Sequence, residues 1–121
     1  MNWKHILTSF EGRINRGKFW AGVGVLWVLS LVLIGLDMSF LPPIIELQPG
    51  IGYGPLTLLM FAVSLYVGIA LYVKRWHDRD KSGWWTLIAL VPIIGGIWLL
   101  VECGFLPGTK GPNKFGPDPL G

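Results

Sequence analysis

The residues best suited to chemistry in this chain are His77 and Asp78, inside the run Lys74-Arg75-Trp76-His77-Asp78-Arg79-Asp80-Lys81-Ser82-Gly83-Trp84-Trp85. A carboxylate beside an imidazole can orient the ring and raise its basicity, as general acid–base catalysis requires. Neighbouring residues on a helix do not face each other, so a working pair needs a turn there, or a partner such as Glu11 or His5. Metal binding by His77 with Asp78 or Asp80 needs three or four convergent ligands, and this spacing matches no such set. A single cysteine, Cys103, excludes an internal disulfide and a cysteine-based zinc site. No catalytic residue, cofactor or metal ligand is therefore assigned. Glu102, near the end of an apolar run, is the remaining acid of interest; at that depth it is expected to be solvated or paired.

The stretch that carries His77 is flanked by long apolar runs, and those runs decide where it sits. The chain is 52% hydrophobic and 14% charged, against roughly 25% charged in soluble domains. A chain of 121 residues cannot bury that much apolar surface by itself, so the excess must face lipid. Bases flank the apolar runs, the pattern of anchoring at anionic headgroups, and form no solvated face suited to nucleic acid.

The expected fold is a single all-α membrane domain with spans at residues 19–36, 56–73 and 84–106. The first runs ~27 Å as a helix, about the thickness of the hydrocarbon core. It is longer than a secretory signal core and no small-x-small cleavage site follows it, so it reads as uncleaved. Asn15 is its expected N-cap. Before it, Trp3, Ile6, Leu7 and Phe10 share one helical face, which predicts a short interfacial helix over residues 2–12. Residues 37–55 are a Pro/Gly-rich loop. In the second span, Ser64 and Gly68 allow another helix to approach closely. The third run contains Pro92, Gly95 and Gly96, and a span kinked at Pro92 is expected. The alternative is a re-entrant hairpin turning at residues 92–96, with arms of ~12–15 Å that are too short to cross. The tail, 107–121, has eight Pro and Gly residues and is neither helix nor strand.

Four bases precede the first span, none lies in the first loop, four lie in the second and two in the tail. The positive-inside bias then places the N-terminus and residues 74–83 in the cytoplasm. Three spans would leave Lys110 and Lys114 on the opposite side, a conflict that favours the hairpin alternative. The candidate polar cluster at the headgroups comprises Arg13, Arg16, Arg75, His77, Asp78, Arg79, Lys81 and Asn113, with Arg75, Arg79 and Lys81 as phosphate contacts. If loop and tail share a side, Asn113 or Asp118 meets Arg75, His77 or Arg79.

Several of these pieces together resemble a small bacterial inner-membrane family, domain of unknown function 805. They are Gly12-Arg13-Ile14-Asn15-Arg16-Gly17-Lys18-Phe19-Trp20, the central run 74–85, Pro92-Ile93-Ile94-Gly95-Gly96, and the tail from Pro107 to Pro119. That family often has Leu at the position of Trp76 and Thr-Gly at Arg79-Asp80. The resemblance implies a bacterial plasma-membrane protein and supplies no activity. The expected role is non-enzymatic, through membrane lipids with anionic headgroups, a second copy of the chain or other membrane proteins. The alternatives are an enzyme acting on lipid headgroups through His77 and Asp78, and a small oligomeric transporter using Glu102 and the Pro92 kink.

Overall fold

Asn15 turns the basic N-terminal stretch into helix. Its side-chain oxygen accepts the Lys18 amide at 2.8 Å, as an N-cap does for the third helical residue, and α2 (Arg16–Phe40) follows without a break. The computed structural model describes residues 2–49 and 51–120. Before α2 comes α1 (Trp3–Thr8). After it come the antiparallel strands β1 (Ile45–Gln48) and β2 (Ile51–Tyr53), and then α3 (Pro55–Asp78). Both α2 and α3 are long and apolar enough to cross a membrane. Much of their apolar surface faces outward, Trp27 being 69% and Leu65 68% exposed, as expected of helices solvated by lipid.

The chain folds as two units: residues 1–22 with 67–121, and residues 23–66. In the first unit Ile6, Ile14, Phe19, Leu71, Trp76 and Cys103 are buried. Gly22 lets α2 lie close to α3 there, since a Cβ on it would come within 2.7 Å of Leu71. α1 is shorter than the interfacial helix expected over 2–12: it stops at Thr8, and Gly12 takes a φ of +85° that ends any continuation.

The third apolar run is not one kinked helix. It divides into a 3-10 helix (Gly83–Leu90) and α4 (Ile94–Leu99), which passes into a π-helical segment (Leu100–Phe105). Pro92 has no amide to continue the first arm. The Ile94 amide donates to the Pro92 carbonyl at 2.7 Å, with Ile93 at φ +66° and ψ −63°, a γ-turn that reverses the chain. Gly95 lets the second arm fold against the first, because a Cβ there would stand 1.8 Å from the Ile88 carbonyl oxygen. The two ends of the run meet: Lys81 Nζ donates to Glu102 Oε1 at 2.7 Å. The hairpin alternative therefore describes this segment, and the expected third span does not.

In the second unit the all-α expectation also needs correction, since the Pro/Gly loop contains a short hairpin with Ile45 opposite Tyr53 and Glu46 opposite Gly52. Gly52 is required there, as its Cβ would fall 1.9 Å from the Ile45 carbonyl oxygen. Asp37, read as a loop acid, lies in the last turns of α2 and is 3% exposed. Its carboxylate accepts the Leu56 and Thr57 amides and so caps the start of α3.

Candidate polar centre at the end of α3

The last turn of α3 carries Lys74, Arg75, His77 and Asp78, and all but His77 are buried. The i,i+3 spacing sets Arg75 beside Asp78, whose Oδ2 accepts from Arg75 Nη1. Arg13, from the stretch before α2, completes the centre: its Nη2 lies 3.0 Å from Asp78 Oδ1, with side chains 1% and 5% exposed. Buried ions persist only where pairing and hydrogen bonds offset lost hydration, and here one carboxylate serves two guanidiniums.

The remaining donors of these cations point at backbone carbonyls. Arg75 Nε donates to Cys103 O at 2.6 Å, Nη1 to Ile14 O at 3.1 Å and Nη2 to Leu106 O at 2.7 Å. Arg13 Nη2 donates to Thr109 O at 2.6 Å, and Nη1 to Gly111 O at 2.8 Å and Gly116 O at 3.2 Å. Lys74 Nζ donates to the carbonyls of His5 and Ile6. Each cation thus supplies donors to backbone carbonyls of loops and short helix ends; His5 O and Gly116 O also accept the Ser9 and Asn113 amides. The tail is drawn in further: the Thr109 amide donates to Asp78 O at 2.7 Å, and Gly108 fits against Asp78 because it has no side chain.

His77 does not meet Asp78. Its Nδ1 lies 2.8 Å from the Gly12 carbonyl oxygen, and its ring stacks on Phe115 at 4.0 Å and 7°. Asn113 Nδ2 donates to the His77 carbonyl at 2.9 Å. A second cluster closes the hairpin: Arg79 Nε donates to Glu102 Oε2 at 2.9 Å, Lys81 to both Glu102 oxygens, and Trp98 Nε1 to Oε1 at 3.1 Å. Lys81 Nζ also lies over the rings of Trp76 and Trp85, at 5.6 and 5.1 Å. Asp118, in the tail, accepts the Leu120 and Gly111 amides, which hold its carboxyl below the usual aspartate range.

Of the eight residues expected in one polar cluster, Arg13, Arg75 and Asp78 are in direct contact, and His77 and Asn113 adjoin them through the backbone. Arg79 and Lys81 form the neighbouring cluster with Glu102. Arg16 stands apart, exposed, donating to Phe105 O at 2.7 Å. Arg75 is 0% exposed, so it is not positioned to contact a headgroup phosphate as expected. Glu102, placed by a straight span near the far interface, instead returns to Lys81. Lys74 and Trp98 were missed. The i,i+4 spacing of Trp98 and Glu102 was a usable signal, whereas the partners of Arg13 other than Asp78 are backbone carbonyls that no side-chain pattern announces. Among the described residues, no group of three or more His, Cys, Asp or Glu side chains could hold a metal ion.

Comparison with known proteins places this arrangement. No solved structure matches the chain. It is 32% identical to the inner membrane protein YhaH of Escherichia coli K12 over 112 residues, covering 92% of this chain and 87% of that protein. It is also 32% identical to the inner membrane protein YhaI of the same strain, over 92% of this chain and 86% of the relative. The uncharacterized protein YiiR of that strain is 29% identical, over 93% and 86%. Residues 7–117, which include both ion clusters and most of the tail, match the family described as protein of unknown function (DUF805), and the chain belongs to that family.

Proposed function

We propose that this chain is a non-enzymatic inner-membrane protein that works by contact with lipids and other membrane proteins. In this reading α2 and α3 cross the bilayer, both termini lie in the cytoplasm, and residues 84–105 enter the hydrocarbon as a hairpin and return. The observation that carries it is the fate of Asp78. Its carboxylate is taken up by Arg13 and Arg75 rather than turned to His77, so the one pair with acid–base character serves to fold the chain. Glu102 is likewise paired, which disfavours a transport path through it.

The orientation rests on charge. All ten Lys and Arg residues fall in 4–18, 74–81 and 110–114, and all three stretches belong to one folded unit; the positive-inside bias puts those three stretches on the cytoplasmic side. With the buried cations committed inward, the exposed Lys4, Arg16, Lys110 and Lys114 are the ones left to meet anionic headgroups. The inner-membrane names of the two relatives support the location.

Reporters active only in the cytoplasm or only in the periplasm, fused at each terminus, test the topology. Both termini should report cytoplasmic; a periplasmic C-terminus with a cytoplasmic N-terminus overturns it. In nanodiscs, adding phosphatidylglycerol to phosphatidylcholine should raise the thermal midpoint. The change of Lys4, Arg16, Lys110 and Lys114 together to Gln should remove that increment, while His77→Ala keeps it. No response to anionic lipid, or a headgroup hydrolysis that His77→Ala abolishes, defeats the lipid-contact role.

A further inference from the structure

In the second unit two cavities, of about 370 and 210 Å³, share Ile34, Thr57 and Phe61 and so form one cleft. It runs along α3 from Thr57 to Ser64, ~10 Å, and along α2 from Ser30 to Met38, and opens beside Leu41 and Pro43. We propose that this cleft binds one acyl chain of a zwitterionic phospholipid. Only the spanning of α2 and α3 is required; the basic surface plays no part in it.

Depth, shape and charge each point to that occupant. The lower part is lined by residues inside both candidate spans, at the level of lipid chains. Its polar groups are largely committed: Ser30 Oγ donates to Leu26 O at 2.7 Å, and the Asp37 carboxylate accepts the Leu56 and Thr57 amides. Water, which needs two to four polar partners, is poorly served there. The cleft is an elongated groove between α2 and α3, bounded at its mouth by Pro43 and residues 52–54, a shape that suits an extended chain. A flexible chain suits the adaptable Met38 and Met60 walls. At the mouth, residues 23–66 carry Asp37 and Glu46 and no Lys, Arg or His. An anionic headgroup would therefore find no counter-ion and a repulsive field.

Photo-cross-linking of the wild-type chain in bilayers is the test, using phosphatidylethanolamine or phosphatidylglycerol with a photoactivatable acyl chain and mapping adducts by peptide mass. Adducts from the ethanolamine lipid should favour the half-buried Thr57 and Ser64 of the cleft over the outward-facing Leu59 and Leu65. The expected preference is about tenfold, equivalent to about 1.4 kcal/mol. The glycerol lipid should show a smaller preference. Ser64→Leu, which narrows the cleft without changing charge, should remove the bias while labelling at Leu59 persists. Even labelling of cleft and outward residues in the wild type overturns the proposal, as does equal preference for the two headgroups.

Discussion

Asp78 holds two guanidiniums at once, and that makes it the residue whose loss costs most. Breaking a buried ion pair from one side strands the other charge, at about 3–5 kcal/mol. Asp78→Ala should therefore lower the thermal midpoint of the purified protein far more than Lys114→Ala, an exposed control. Combined with Arg13→Ala the effects should be strongly non-additive, since Arg13 has already lost its counter-ion; additive midpoints in a double-mutant cycle would separate the two residues. Asp80 is a different case. It sits at φ +61° in the turn after α3, where the resembled family often has Gly. Asp80→Gly should stabilise by roughly 0.5–1 kcal/mol, the cost of a side chain in the left-handed region being relieved. An unchanged or lower midpoint would place the strain elsewhere.

At the scale of elements, the tail carries a titrating group, Asp118, that ties two of its own amides together. Asp118 accepts two amides from within the tail, and its carboxyl is held below the ordinary aspartate value of 3.8. A group with a depressed folded pKa contributes above its unfolded pKa and loses that contribution as pH falls through the folded value. The Gly111 and Leu120 amides should stay protected from exchange at neutral pH and lose protection in acid below 3.8. Asp118→Asn should flatten that dependence; protection unchanged into strong acid would show the tail held by its contacts with Arg13, His77 and Asp78 without Asp118. The sequence was readable in proportion to how local each element is. Asn15 as N-cap and the two long helices follow from neighbours a few residues away. The reversal at Pro92 was visible as an alternative but not decidable, because what closes it is Glu102 meeting Arg79 and Lys81 more than twenty residues back. The β-hairpin escaped because Pro and Gly mark a turn without saying what flanks it.

Across the whole molecule, the His-Asp run proved central in a sense its composition did not disclose. Its types suggested acid–base chemistry or phosphate contacts, whereas its cations reach carbonyls of α1 (from Lys74), of the hairpin's end (from Arg75) and of Pro107 at the start of the tail (from Arg79). Side-chain spacing could reveal Arg75 with Asp78, but backbone acceptors carry no residue signature, so the reach of Arg13 across nearly the whole chain was hidden. Position in the chain has a further meaning, in time. Residues 23–66 form a contiguous unit and are complete soon after they are made, while the other unit joins residues 1–22 to 67–121. Arg13 is made well before its acceptors at Thr109, Gly111 and Gly116, which follow it by 96 to 103 residues. Lys74 must likewise appear before its ammonium can reach the carbonyls of His5 and Ile6. The polar centre therefore cannot close when Arg13 is made; it waits for backbone that follows about a hundred residues later, after both long helices have been synthesised.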